Sequence, residues 1–234
     1  MFFLIRSAGV AGVNDQEVYN ILHSFFSCHC RLVSILHSSH LIPYLRGMIS
    51  DSIKWNERHG AKYGFHEPDA YLKEQLEKLA RGKALDLACG RGRNAFALAS
   101  NGFETLAVDI AEVGLQHLET AAQTKNLHIK TLLLDLDEPE VLMSSAPFDT
   151  IICINFKPGK ALLQLIPELL KIGGTFLWTS FNDVQVTINA FPIEKALHPN
   201  EFVDYFQQLR LAEYKRFVDE TGHRDAYLFI KDMH

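Results

Sequence analysis

The sequence predicts an α/β domain: an open, mostly parallel sheet of seven strands, helices on both faces, and an antiparallel pair at the C-terminal end. Three observations predict it. Short apolar runs of buried-strand character recur between segments of helical periodicity about 10–15 residues long. Most of those runs end at Gly, Asp or Asn, residues that turn a chain or cap a helix. Two last runs, 211–218 and 225–231, read as a closing antiparallel pair.

Taken in order, 83–89 (KALDLAC) is an apolar run entering a glycine turn, a buried first strand. Residues 93–101 are helical in pattern, with Phe96, Leu98 and Ala99 apolar, and stop at the C-cap signal Asn101-Gly102. Strand two is 104–110, helix two 113–125, and strand three 129–134, ending at Asp135. Strand four is 148–155, followed by a helix at 161–171. Gly173-Gly174 opens strand five at 174–180, and 200–208 reads as helix before the closing pair. Strands alternating with helices imply βαβ units and a parallel sheet covered on both faces. No internal repeat or low-complexity tract interrupts the pattern.

Composition narrows the function classes. The 234 residues are 47% hydrophobic and 22% charged, as in ordinary globular proteins. Twenty-three basic and 28 acidic side chains give a formal charge of −5, which argues against a broad cationic surface for nucleic acid. Four cysteines (Cys28, Cys30, Cys89, Cys153) are too few and scattered for a disulfide scaffold, so a reducing, cytoplasmic setting is expected. No apolar run approaches the roughly 18–20 residues that span a bilayer, and no membrane partner is expected.

A composition break falls near residue 48. Residues 1–47 hold three Arg, no Lys, two acids and four His, while all 13 Lys lie beyond. The first stretch is expected to be an N-terminal extension, disordered or the product of a start assigned upstream of Met48; the functional domain is 48–234. Asn14 with Glu17 fits a capping box, and Val18, Leu22, Phe25, Leu32 and Leu36 recur at helical spacing. Cys28-His29-Cys30 with His23 and His37 invites a metal reading, but the spacing suits no common zinc site and a second Cys pair is missing. No metal is expected.

In an open α/β sheet, ligands bind beyond the carboxyl ends of the strands. Strand one runs into Asp86-Leu-Ala-Cys-Gly90-Arg-Gly92-Arg-Asn94, and strand two ends at Asp109. Gly-x-Gly alone is weak evidence. An acid four residues before the first glycine and a second acid closing the next strand are stronger, because that carboxylate can accept both hydroxyls of a ribose. A dinucleotide would put its diphosphate at this turn, beside Asp86, and the third glycine position is Ala95. S-adenosylmethionine instead carries an ammonium and a sulfonium there, which suits a carboxylate. No G-x-x-x-x-G-K-[ST] loop is present.

The stretch KALDLACGRGRNAFALASNGFETLAVDI resembles the first two motifs of class I S-adenosylmethionine-dependent methyltransferases. The Gly-Arg-Asn continuation and the upstream Trp55-Asn-Glu-Arg, Tyr63-Gly and Glu67-Pro are similar to the tellurite-resistance and thiopurine-type branch. The likeness covers roughly residues 53–232, with Ala88 where many relatives carry glycine.

The resemblance implies a Rossmann-like fold and S-adenosylmethionine as cofactor. It implies that Ala88, Cys89 and Gly90, in the turn completed by Asn94, line the methionine moiety through backbone groups. Asp109 would hold the ribose diol with Ile110 against the adenine; Asp135 would accept from the adenine N6 with Leu136 beside the ring. Asn155 would lie near the transferring methyl, and Asp86 would organise the turn and the ammonium. Against this, Asp109 and Asp135 also suit helix caps, and Asp86 a turn-former. Trp55, Tyr63 and Phe156 are candidate substrate contacts, and with Phe65 and Trp178 they suit an aromatic lid or the core equally. Cys89 and Cys153 read as inert small hydrophobes, and His59, His66, His198 and His223 as surface or helix-end residues.

No acid–base pair stands out, so no catalytic residue is assigned. That favours a small-molecule acceptor that is soft or already deprotonated, such as a sulfur, selenium or tellurium nucleophile. The alternatives are a non-catalytic S-adenosylmethionine-binding regulatory module and, less favoured, an NAD(P)-linked oxidoreductase.

Overall fold

The computed structural model describes residues 41–61 and 67–232. The helix expected between Asn14 and Leu36, the Cys28-His29-Cys30 run, Tyr63, Phe65 and His66 lie outside the described residues. The chain divides into two compact units, Met1–Ile53 and Lys54–His234. The described part of the first is helical; it opens α1 (Leu41–Gly60), whose last turns belong to the second.

The second unit holds a seven-stranded sheet in the order β3-β2-β1-β4-β5-β7-β6. Its strands are β1 (Lys83–Leu87), β2 (Glu104–Asp109), β3 (Ile129–Leu133), β4 (Phe148–Ile154), β5 (Leu170–Phe181), β6 (Arg210–Asp219) and β7 (Gly222–Ile230). The first five are mutually parallel; β7 runs antiparallel to both β5 and β6. This is the predicted architecture.

Burial explains the runs. Four of the five residues of β1 and six of the seven of β4 are buried, because helices cover both faces of the sheet there. β6 alternates exposed and half-buried positions, as an edge strand should. The helices are α2 (Ala70–Gln75), α3 (Arg93–Ser100), α4 (Glu112–Thr124), α5 (Lys160–Leu169) and α6 (Asp183–Asn189). Caps start two of them: Asp69 Oδ1 accepts from Tyr71 N–H at 3.0 Å, and Asn182 Oδ1 from Val184 N–H at 3.1 Å. The sequence reading passed over both, since neither short helix has a full apolar repeat.

One element departs from expectation. Residues 200–209 form turns and bends, not a helix. Phe202, Phe206 and Leu209 are buried at helix-like spacing, but they reach the core from an irregular backbone that begins at Asn200 with φ +58°. Their partners are aromatic: Phe202 lies 4.5 Å from Trp178 and Phe206 5.0 Å from Phe229, centroid to centroid. Aromatic packing has imposed a periodicity that sequence alone reads as helical.

Candidate functional site

The strand order reverses between β1 and β4, so a crevice opens beyond their carboxyl ends. β1 stops at Leu87 because the chain turns at once: Ala88 has φ +55° and Gly90 φ +57°. A left-handed alanine costs about 1–2 kcal/mol, so the surroundings must hold it. Cys89 N–H donates to Val108 O at 3.0 Å, pinning the turn to β2. Gly114, in α4, allows a close approach from the other side. A Cβ there would stand 2.7 Å from the Gly90 carbonyl oxygen.

Two carboxylates underlie the turn. Asp86 is 1% exposed, and its Oδ2 has no hydrogen-bond partner. Burial first, then the charge of Asp109, pushes its carboxyl up to about 8, although the Ala95 N–H and Arg93 oppose the shift. Asp109 closes β2 and is 7% exposed. Its Oδ2 accepts from Gly90 N–H at 2.7 Å and its Oδ1 from Ala111 N–H at 2.8 Å. Burial raises this carboxyl as well, against those two donors and the nearby His59. Two acids this close do not both ionise readily. Asp109, with two backbone donors, is the better-stabilised anion, which leaves Asp86 to carry the proton.

Both carboxylate oxygens of Asp109 are thus engaged by backbone N–H groups, one just ahead of α4 and the other in the glycine turn. Asp135, half-buried, likewise accepts from Asp137 N–H at 3.0 Å, and Leu136 beside it is buried in the core. Ile110 is half-buried just past β2. Asn155 ends β4 in the left-handed region (φ +60°) with its side chain exposed, and its N–H donates to Thr179 O at 2.8 Å.

Asn94 takes a structural part: its buried Oδ1 accepts from Asp69 N–H at 2.9 Å. Phe156 is fixed by its backbone, whose oxygen accepts from Trp178 Nε1 at 2.9 Å, and its ring packs on the core. Trp178 is fully buried and belongs to the core, not to a lid. Cys89 and Cys153 are buried free thiols whose ionisation burial pushes well up, which fits inert roles. Among the described residues, no group of three or more metal-ligating side chains converges.

Sequence reasoning missed two parts of this region. Arg224 opens the carboxyl-edge end of antiparallel β7 and is fully buried. It forms ion pairs with Asp69 and Asp219 and donates from Nη1 to Asn155 Oδ1 at 3.3 Å. Asp69 lies 155 residues away in sequence, a separation that leaves no local pattern to read. The second is His59, assigned above to the surface or a helix end. It does lie at a helix end, but it is only 9% exposed and is turned toward the glycine turn.

With that geometry in view, comparison with known proteins places the chain. The model of the family described as tellurite resistance protein TehB matches residues 52–228. The chain belongs to the TehB family. A probable S-adenosyl-L-methionine-dependent methyltransferase TehB of Haemophilus influenzae is 24% identical over 154 residues, 61% of this chain and 53% of the relative. The chain thus spans about half the length of that curated relative. A ubiquinone biosynthesis O-methyltransferase of Rickettsia akari is 31% identical over 94 residues, 40% of this chain and 35% of that one.

Among solved structures, TehB from Haemophilus influenzae superposes with a TM-score of 0.60 at 20% identity, covering 76% of this chain and 67% of that one. An S-adenosylmethionine-dependent methyltransferase from Clostridium acetobutylicum superposes with a TM-score of 0.57 at 16% identity, covering 92% and 100%. At such identities the likeness is one of fold. The TehB-family match runs through the glycine turn, Asp109, Asn155 and Arg224, and it includes the end of α1 that carries Trp55 and His59.

Proposed function

We propose that this TehB-family chain transfers a methyl group from S-adenosylmethionine to a small-molecule acceptor. The observation that carries the reading is the buried Asp86–Asp109 pair around the Gly90 turn at the switch point. A hydrogen-bond-seeking, unpartnered Oδ2 on Asp86 suits a ligand that brings positive charge to this turn. A diphosphate at this turn would hold Asp86 protonated and gain no favourable charge pairing from it, which counts against a nicotinamide dinucleotide. Domain boundaries near residue 48 and a cytoplasmic setting belong to the same reading. No helix among the described residues is long and apolar enough to cross a membrane.

Asp109 would hold the ribose, Ile110, Asp135 and Leu136 the adenine, and the backbone of Ala88, Cys89 and Gly90 the amino-acid end. When bound, S-adenosylmethionine supplies a methyl group already activated on a sulfonium. The chain's own task is then to position: Asn155 at the end of β4 is oriented by Arg224, and Trp55 and Phe156 border the acceptor side. Holding reactants near attack distance can supply much of a displacement's acceleration. The charged groups gathered behind Asn155, namely Arg224, Asp69 and Asp219, are engaged with one another in ion pairs. None stands ready as a base, which supports a soft S, Se or Te nucleophile that arrives deprotonated.

The test is S-adenosylhomocysteine release over thiols, selenite, tellurite, halides and small amines. Turnover is expected with soft acceptors. Turnover with amines alone would sink the acceptor class, and tight cofactor binding with no turnover across the panel would favour a non-catalytic binding module.

The Asp86 carboxyl gives a pH prediction. In the ligand-free fold its pKa is raised to about 8 by burial and Asp109. The folded state therefore binds a proton that the unfolded state releases near the ordinary carboxylate pKa. That contribution to stability is present in full below about pH 4 and is lost as pH rises toward 8. A cationic ligand draws the pKa back down and expels the proton. Affinity for S-adenosylmethionine should accordingly rise from pH 5.5 to 7.5, by up to about tenfold per pH unit. Calorimetric titration at several pH values measures this, and Asp86→Asn should flatten the slope. Affinity that falls over this range would contradict the placement of Asp86.

A further inference from the structure

β7 carries two adjacent, fully buried charges that face opposite sides of the sheet. Side chains alternate along a strand, so Arg224 turns to Asp69 while Asp225 lies on the side of Tyr227 and Phe229. Asp225 meets three donors there. Its Oδ1 accepts from Asn182 Nδ2 at 2.7 Å and pairs with Arg216 Nε at 3.2 Å; its Oδ2 accepts from the Tyr214 hydroxyl at 2.8 Å.

These donors lead to the two ends of one segment. Residues 182–200 follow the carboxyl end of β5 and run on toward β6. At the start, Asn182 is bonded to Asp225 directly, and Arg216 also pairs with Asp183. At the end, the Asn200 N–H donates to the Tyr214 hydroxyl at 3.1 Å, which passes the tie on to Asp225. One carboxylate thus holds both ends.

Burial does little to hold the stretch between. α6 buries one residue, the polar Gln185, and leaves Val184 and Ile188 exposed; Ile193 beyond it is exposed as well. Ala196 and Leu197 are buried, and Leu197 bonds through its backbone to Phe181 and Asp183. A stretch with so few buried apolar side chains depends on polar ties for its local stability. It also borders the acceptor side of the crevice. Lys157, two residues past Asn155, donates from Nζ to the Ala196 carbonyl at 2.7 Å and pairs with Glu201 at 2.8 Å.

We propose that Asp225 is a positioning residue for the methyl acceptor. From within the sheet it holds segment 182–200 against the loop that carries Asn155 and Phe156, so the acceptor meets a fixed wall. It touches neither the acceptor nor the cofactor. The inference rests on the reading of the crevice as a methyltransferase site with its acceptor near Asn155.

The experiment is steady-state kinetics of the full chain with dithiothreitol or selenite as acceptor, for wild type, Asp225→Asn and Tyr214→Phe. Calorimetric titration with S-adenosylhomocysteine runs beside it. Asp225→Asn sets an amide against three donors. Tyr214→Phe keeps the ring on Tyr227, at 4.9 Å between centroids, and removes only the tie to Asn200, so it remains informative even if Asp225→Asn folds poorly. Both variants should raise the acceptor KM about tenfold, the size of one lost hydrogen bond to a charged group. kcat and S-adenosylhomocysteine affinity should stay near wild type, a split that general loss of stability would not produce. Amide exchange should quicken across 183–199 and stay unchanged in β1 to β4. An unchanged acceptor KM in both variants, or a loss of S-adenosylhomocysteine affinity matching the rise in KM, would overturn the role of Asp225 and leave the functional reading standing. A wild type that binds no S-adenosylhomocysteine, or methylates neither acceptor, would overturn both.

Discussion

Asp109→Ala is expected to weaken S-adenosylhomocysteine binding by about 100-fold or more while leaving a folded protein. A carboxylate accepting two hydroxyls makes two charge-assisted bonds, each contributing ~1.5–3 kcal/mol. Their sum, roughly 3–6 kcal/mol, corresponds to a loss of two to four orders of magnitude. The variant also frees the N–H groups of Gly90 and Ala111, which Asp109 holds at 2.7 and 2.8 Å in the ligand-free fold. Losing two such side-chain-to-backbone hydrogen bonds costs about 1–3 kcal/mol, too little to unfold a domain. Asp109→Asn should fall between, because the amide keeps one acceptor oxygen and loses the charge. Calorimetry gives the affinities, and circular dichroism checks the fold. An alanine variant that binds within threefold of wild type would reduce Asp109 to a structural role and remove the ribose assignment with it.

Asp109 is legible in the sequence as a strand-end carboxylate, whereas the burial of Arg224 and His59 is not. Runs such as KALDL, ETLAVD and FDTIICI are legible because burial on both faces leaves a continuous apolar signature. Their ends are legible too, since a parallel sheet places each strand's last residue at the binding edge. Asp86, Asp109, Asp135 and Asn155 all follow from that rule. Strand limits shifted where backbone geometry intervened: Ala88 and Asn155 leave the sheet because their φ is positive, not because their side chains are polar.

What stayed hidden was set by contacts distant in sequence. His59 owes its burial to the end of α1 lying over Gly90 and Gly114. The misread 200–208 segment makes the same point from the other side. Phe202 and Phe206 satisfy a helical spacing, yet Trp178, Phe176 and Phe229, drawn from two other strands, decide where they go.

Arg224→Met is expected to destabilise the ligand-free protein by ~3–5 kcal/mol, the cost of removing one partner from a buried ion pair. The guanidinium is fully buried, its partner Asp69 is 1% exposed and Asp219 17% exposed. Removing the cation leaves the buried Asp69 with Arg93, at 3.5 Å, and the Tyr71 N–H for compensation. Burial pushes Asp219 up, yet Thr221 and Arg224 together hold it below its ordinary value, so it too loses support. For a domain of this size each kcal/mol shifts the melting temperature by roughly 2–4 °C, so the midpoint should fall by about 10 °C.

The damage is specific, and a cycle of substitutions can show it. Asp69→Asn in the Arg224→Met background should cost much less than Asp69→Asn alone, because the buried charge has already lost its partner. Arg224→Lys should recover only part of the loss, since an ammonium cannot fork between two carboxylates. Asp69 also caps α2 and donates its N–H to Asn94, while Arg224 reaches Asn155. The ion pair therefore ties the start of α3 to the end of β4, one on each side of the crevice. Strictly additive Asp69 and Arg224 effects would mean the two do not act as a pair, and this bracing of the site would fall with them.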